Sequence, residues 1–368
     1  MSEYQCYEFI AIDRQLTPKE TAALRSISTR AEITATRFWN EYEWGDLKAD
    51  PGKLLSRYFD AHLYFANWGT HRFMLRIPAA NVDERVLRPY FAGGAATLTK
   101  SGRQLVLDFT SDTEEPEDEW YEGGELAALV PLRTDLLGGD LSAAYLGWLL
   151  AVQLEELDDD ATEPTVPVGV TKPSASLLAL AEFLRLDPDL LRAGAEGAPS
   201  NAVEAASLRR WLKGLPPAEK DRWLLRAAGP AHKSLGAELA TAHRKGSGPP
   251  PRGTRRTVAQ IRKRATELRE VRKREQASRA TRARARAEAT RQKRLNALAR
   301  QGDKPWDRLD KLVDQKEYDE AVRLTTDLRD LALKEGRSPR FETRLLELRK
   351  RHPRRRGYLD AVKRSLGR

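Results

Sequence analysis

The spacing of hydrophobic residues changes along the chain, and the first region alternates with a period of two. Short apolar and aromatic runs such as YEFIAID (7–13) and ATLTKSGRQLVLDFT (96–110) end at turn residues, which is typical of strands. Ser101 and Gly102 divide the second run and predict a hairpin. Because such strands alternate with short helices, we predict an α+β head with a largely antiparallel sheet over residues 1–125.

The helices within this head are predicted from their start signals. Thr17 followed by Glu20 three residues later forms a capping box. Asp50 before Pro51 gives an N-cap followed by a proline in the first turn. Both patterns predict short helices inserted between strands.

After residue 125 the apolar period lengthens to nearly four, which predicts helices. The segment LSAAYLGWLLAVQLEEL (141–157) is a strongly apolar helix, and KGSGPPPRG (245–253) supports neither a helix nor a central strand. The last helices resemble one tetratricopeptide-like hairpin, whereas a repeat architecture needs about three such units. The predicted organisation after the head is a helical domain (126–245), a Gly/Pro linker (246–253), a long basic helix (254–300) and a C-terminal helical hairpin (301–368).

Charge divides the molecule more sharply than its formal net charge of +10 suggests. Residues 1–160 carry a net charge of −13, whereas residues 251–300 carry +14. This asymmetry favours a polyanionic partner for the basic segment, or contact between the two parts of the chain.

The long basic helix offers the candidate nucleic-acid contacts. Without aromatic residues in 254–300, duplex or structured nucleic acid is a better fit than unpaired bases. The alternative is a solvated alanine-rich helix whose arginines at 282, 284 and 286 point in different directions and form no single stripe. The candidate residues are Arg262, Lys263, Arg264, Arg272, Lys273, Arg274, Arg279, Arg282, Arg284, Arg286, Arg291, Lys293 and Arg294.

The start of the same helix also carries an apolar seam with a 3-4-3-3 spacing. That spacing is typical of a helix that pairs with a partner helix, as in a coiled coil. The seam residues are Val258, Ile261, Ala265, Leu268 and Val271.

Reaction chemistry is weakly indicated. The five histidines and the single Cys6 show no metal-ligand spacing, so we predict no metal and no cofactor. An enzyme centred on Asp60 and His62 would require the two side chains to converge in a pocket, and we consider an enzyme less favoured than a binding protein. The acidic segment 111–125 lacks the pattern of a calcium-binding loop, and we predict that it is exposed and masks the basic helix by imitating phosphate.

The location of the protein is predicted from what the sequence lacks. No run of about 18 apolar residues is present, and the N-terminus has no basic region followed by an apolar run. One cysteine cannot form an intramolecular disulfide. We therefore predict a cytoplasmic protein without a membrane partner.

Several segments resemble an uncharacterised family of bacterial cytoplasmic proteins. The resemblance covers nearly the whole chain and implies bacterial origin and a similar layout, but it implies no activity for any residue. It is carried by YQCYEFIAIDRQLT, EITATRFWNEYEWGDLKADP, RYFDAHLYFANWGTHRFMLRIP, DDDATEPTVPVG, LRRWLKGLPPAEKD and AVRLTTDLRDLA.

Taken together, these patterns favour a non-catalytic adaptor. Its basic helix would contact nucleic acid and its head would bind a protein partner. The alternative is a structural or scaffolding protein whose long helix pairs with a partner helix without binding nucleic acid. Salt separates the two, because phosphate contacts weaken steeply with salt and an apolar seam does not.

Overall fold

The structure is a computed structural model in which two compact units divide the chain after residue 271. Unit 1 comprises residues 1–271 and unit 2 comprises residues 272–368, and each is described by itself. The residues that the structure describes are 3–113, 123–199, 201–228, 239, 242–243 and 255–366.

Unit 1 opens with one antiparallel sheet of seven strands in the order β2-β3-β1-β4-β5-β7-β6. The hairpin predicted at Ser101 and Gly102 is present between β6 and β7, and Gly102 there takes a φ of 58°, a left-handed conformation that glycine adopts without strain. The α+β class and the antiparallel sheet are thus confirmed. The strands are β1 (Gln5–Ile10), β2 (Glu32–Ile33), β3 (Arg37–Tyr42), β4 (Ala61–Ala66), β5 (Thr70–Pro78), β6 (Ala96–Ser101) and β7 (Gln104–Asp112).

Helices lie between these strands and after them, and the two predicted capping signals are both present. Thr17 and Glu20 form the reciprocal capping box, and the Asp50 carboxylate accepts the backbone N–H of Lys53. The helices of unit 1 are α1 (Pro18–Ile27), α2 (Pro51–Tyr58), α3 (Glu84–Leu87), α4 (Glu125–Leu129), α5 (Pro131–Leu137), α6 (Ser142–Gln153), α7 (Ala175–Phe183), α8 (Pro188–Ala195), α9 (Asn201–Gly214) and α10 (Pro217–Ala228).

The two faces of the sheet contribute to different cores, because side chains alternate along each strand. On one face, Phe9 and Phe38 pack with residues of α1 and α2 such as Leu24 and Leu55. On the other face, residues such as Phe73 join the later helices in one larger cluster. Residues 142–152 of α6 are all buried, which explains why that segment is apolar on every side.

The larger core corrects the domain boundary that the sequence places at residue 125. Phe73 and Leu107 of the sheet lie in the same cluster as Leu146 of α6 and Leu180 of α7. The predicted head and the early part of the predicted helical domain therefore form one folding unit. The change from strand period to helix period marks a change of element type and not a domain boundary. The predicted linker (246–253) lies outside the described residues.

The long helix α11 (Val258–Ala299) has 42 residues, close to the predicted range of 254–300. The boundary between the two units falls within it, after Val271.

In the described part of unit 2, four helices follow α11, whereas the sequence predicts a helical hairpin, so this prediction is too small. They share one core, whose fully buried members include Leu309, Ala321 and Tyr358. Lys316 takes a left-handed φ of 64° at the end of the first of these helices, and Glu317 N–H donates back to Leu312 O at 3.0 Å, as at many helix ends. The four are α12 (Lys304–Asp314), α13 (Tyr318–Lys334), α14 (Ser338–Arg351) and α15 (Arg356–Leu366).

Candidate nucleic-acid interface

The candidate interface lies on α11, whose first turn is fixed within unit 1. Thr257 and Gln260 cap each other, with the Thr257 N–H donating to Gln260 Oε1 at 3.0 Å and the Gln260 N–H donating to Thr257 Oγ1 at 3.4 Å. Just before this cap, the guanidinium of Arg256 donates to both carboxylate oxygens of Glu163, at 2.7 and 2.9 Å, and to the carbonyl of Ala193 at 2.6 Å. Sequence reasoning missed this anchor, because the two charges are 93 residues apart.

The apolar seam is occupied within the chain itself. Val258 and Ile261 are fully buried, and Ala265 and Leu268 are 4% and 7% exposed, all within the larger core of unit 1. Val271 departs from the pattern, since it is 47% exposed. The assignment of the first four residues to a partner helix is therefore corrected, because the core of unit 1 covers the face that the partner was expected to cover.

The basic residues of this first stretch mostly serve the fold of unit 1. Arg262 donates to Asp159 at 2.8 Å and to the carbonyl of Val152 at 2.9 Å. Arg264 binds the Glu196 carboxylate through two bonds of 2.7 and 2.9 Å. The hydrogen bonds to Glu196 are the main reason that the pKa of Arg264 is raised above its usual range. Lys263, between them, is exposed and forms no ion pair within the described part of the chain.

The far end of α11 is held within unit 2 in a similar way. Arg291 donates to Asp330 at 2.8 Å, and Arg294 donates to Asp327 at 2.6 Å. Leu295, the residue after Arg294, is 3% exposed. These arginines serve at least partly to hold α11 against α13.

Between these two ends, α11 is exposed on every side. All nineteen residues from 273 to 291 are exposed, over a length of about 28 Å. We call this stretch the basic arm. It carries six arginines and one lysine against Glu275 and Glu288, a net charge of +5.

The central basic residues of the arm have no acidic partner within the described part of the chain. Arg272, which precedes the arm, and Lys273 do interact with other groups. Across the described ranges, no ion pair is formed by Arg274, Arg279, Arg282, Arg284, Arg286 or Lys293, the last of which lies just beyond the arm.

The helix places four of these side chains in one row and Arg284 by itself on the opposite side. At 3.6 residues per turn, Arg279, Arg282, Arg286 and Lys293 follow spacings of three, four and seven residues and lie within about 60° of one another. Arg284 lies on the opposite side, about 160° away. Arg282, Arg284 and Arg286 therefore form no single stripe. Only Arg284 points away, because Arg282 and Arg286 belong to one row.

The alternative site at Asp60 and His62 does not assemble. Asp60 accepts the backbone N–H groups of Ile12 and Asp13 at 2.6 and 3.0 Å and a guanidinium N–H of Arg76 at 2.7 Å. Burial alone would raise the pKa of Asp60, but these hydrogen bonds outweigh it and lower the pKa. These structural hydrogen bonds occupy the Asp60 carboxylate, so it is not placed to act on a substrate.

His62 lies in an aromatic environment. Its ring is fully buried and stacks on Phe9 at 4.0 Å, and its Nδ1 lies 2.9 Å from Glu8 O. Burial lowers the pKa of His62 to about 3, so the ring is neutral at physiological pH. A hollow of about 210 Å³ beside His62 is bordered by the cross-strand neighbours Tyr64 and Arg72 but not by Asp60.

Other predicted features are limited by what the structure describes. Within the described ranges, no group of three or more His, Cys, Asp or Glu side chains could hold a metal ion. No helix there is both long enough and apolar enough to cross a membrane. The acidic residues 114–122, and with them the predicted masking of the basic arm, lie outside the described residues.

Comparison of the chain with models of known protein families, with curated proteins and with solved structures finds no match. The resemblance to a bacterial family therefore stays a prediction, and the function has to be argued from the geometry of the chain itself.

Proposed function

We propose that the protein is a non-catalytic adaptor that binds nucleic acid through the phosphates, using the basic arm. The observation that carries this proposal is the combination of full exposure over residues 273–291 with arginines that have no acidic partner among the residues that the structure describes. Phosphate contacts of this kind release counterions and give binding that is independent of sequence and sensitive to salt.

The composition of the arm is more typical of a helix that binds an anionic ligand than of a helix whose charges only keep it soluble. An exposed helix that only bridges two parts of a chain is stabilised by alternating charges, with Glu and Lys four residues apart. The basic arm has only Glu275 and Glu288 against seven basic residues, so like charges repel one another along it. Six of the seven are arginine, whose planar guanidinium binds phosphate through two parallel hydrogen bonds.

The two other classes of function have less support. A scaffold that pairs through the apolar seam would need Ile261 and Leu268 exposed, yet both lie in the core of unit 1. An enzyme at Asp60 would need a carboxylate that is free to react, yet three donors hold it.

The test is fluorescence anisotropy of labelled 20-base-pair DNA and RNA duplexes titrated with the full chain. The arm variant is Arg279→Gln, Arg282→Gln and Arg286→Gln, in which glutamine keeps a high helix propensity. Its matched control removes three exposed basic residues elsewhere in unit 2, namely Lys350, Arg354 and Arg356, also by change to glutamine.

We expect the arm variant to bind at least tenfold more weakly than the wild type, and the control variant to stay within about threefold. Circular dichroism should show equal helix content in all three proteins. Equal losses in the two variants would assign binding to general positive charge, and no binding by the wild type at low salt would overturn the proposal.

A further inference from the structure

The basic arm carries its charges on two opposite sides, and this arrangement contains information about the ligand. A helix that lies on the outside of a polyanion needs one basic row, because its opposite side faces solvent. A helix inside a groove meets a phosphate backbone on each side. Arg282 and Arg286 lie on one side of the arm and Arg284 on the other.

The two flanks between Arg284 and the row opposite it differ in charge. One flank carries Ala280, Ala283 and Ala287 at spacings of three and four residues and no charged residue between them. The other flank also carries alanines, Ala285 and Ala289 among them, but it includes the charged residues Arg274 and Glu288. The uncharged flank therefore lets the helix backbone approach a surface closely, while the flank with charges suits contact with water.

We infer that the basic arm enters the major groove of duplex DNA, with Arg282 and Arg286 on one phosphate backbone and Arg284 on the other. This inference rests on the proposed function and specifies its ligand. The B-form major groove is about 12 Å wide, and an α-helix is about 10–12 Å across with its side chains, so the helix fits. The A-form major groove of duplex RNA is too narrow and deep to admit it.

Single strands fit the arm less well than duplexes. Proteins that bind single strands usually stack bases on aromatic side chains. The arm contains no Phe, Tyr, Trp or His between residues 273 and 291. Its ligand is thus a duplex that offers a wide groove.

Three single Arg→Gln substitutions distinguish a helix inside the groove from a helix on the outside of the duplex. The variants are Arg282→Gln on one side of the arm, Arg284→Gln on the opposite side, and the control Arg354→Gln outside the arm. All three arginines are exposed and have no ion pair within the described ranges. The assay is anisotropy with 20-base-pair duplex DNA and with duplex RNA of the same sequence, using the full chain.

We expect Arg282→Gln and Arg284→Gln to weaken DNA binding by similar factors of about five to ten, and Arg354→Gln by less than about twofold. Duplex DNA should bind about tenfold more tightly than duplex RNA. If Arg284→Gln behaves like the control Arg354→Gln, the helix lies outside the groove and the inference is wrong.

Failure of the inference is distinguishable from failure of the proposed function. Equal affinity for DNA and RNA duplexes, with the triple arm variant still defective, would overturn the groove assignment and leave the arm a general polyanion binder. If no arm variant lost affinity for either duplex DNA or duplex RNA, both the groove inference and the proposed function would be overturned.

Discussion

Two stretches of one helix carry similar sequences and meet different environments. Residues 258–271 of α11 contain four basic residues, and Arg262 and Arg264 among them bind acidic partners of unit 1. The basic arm contains seven, and its central arginines have no such partners within the described ranges. The local sequence does not decide which arginines hold the fold and which are available for a ligand. Which arginines form ion pairs depends on acidic residues that lie far away along the chain.

The comparison also separates two kinds of helix stability. The first stretch is held by burial of Ile261 and Leu268 in a core. The basic arm has no buried side chain and relies on the helix propensity of Ala, Arg and Gln and on its two fixed ends. Substitutions should therefore affect the folding of the first stretch and the binding of the second.

The largest difference is expected between the arginine anchor that directly precedes the first stretch and an arginine of the basic arm. Arg256→Ala should lower the free energy of unfolding by about 3–5 kcal/mol, because it leaves the buried Glu163 carboxylate without its charged partner. Arg282→Ala on the basic arm should change it by less than about 0.5 kcal/mol. Urea denaturation followed by tryptophan fluorescence measures both values. A loss below about 1 kcal/mol for Arg256→Ala would show that the anchor is not essential.

A smaller difference should appear with pH. The pKa of His62 is lowered to about 3 by burial, against about 6.5 in an unfolded chain. Between these values the unfolded state binds a proton that the folded state does not, so stability falls as the pH falls through this window. At pH 5 this group alone should destabilise unit 1 by about 2 kcal/mol relative to neutral pH.

The substitution His62→Phe keeps a ring against Phe9 and removes the titrating group. Its stability should change less between pH 7 and pH 5 than that of the wild type, as measured by urea denaturation at both values. An identical pH dependence in the two proteins would show that His62 is already accessible to protons in the folded state. Binding by the basic arm should show no such dependence, because arginine does not titrate in this range.

The smallest effect is expected where α11 meets α13. Arg294 is 58% exposed on its side chain, so its ion pair with Asp327 is partly screened by water. Arg294→Gln should lower the free energy of unfolding by less than about 1 kcal/mol. Thermal unfolding monitored by circular dichroism checks this value, and a loss above about 2 kcal/mol would indicate that this end of the arm is held as firmly as the first.

Much of the fold follows from the sequence because its signals are local. The alternation in 96–110, the capping box at Thr17 and the proline after Asp50 each specify an element through neighbouring residues. The boundary at residue 125 and the partner of the apolar seam were predicted wrongly, because both depend on which distant surfaces share a core. Phe73 and Leu146 meet only in the folded chain.

The candidate site was predictable in kind and not in detail. The charge of the segment was evident, and so was its helical period. The division into paired and unpaired arginines required the positions of Asp159, Glu196, Asp327 and Asp330, which lie 33 to 103 residues away from their partners. The exclusion of Asp60 likewise required the backbone donors of Ile12 and Asp13.

The salt dependence of binding tests the central claim most directly. Anisotropy with duplex DNA at several salt concentrations gives the slope of log affinity against log salt for the wild type and for the variant with Arg279, Arg282 and Arg286 changed to glutamine. Each phosphate contact contributes about 0.9 to the slope, so the variant should be shallower by about 2.7. Equal slopes would mean that these three arginines touch no phosphate, and the proposal that the basic arm binds nucleic acid through them would be contradicted.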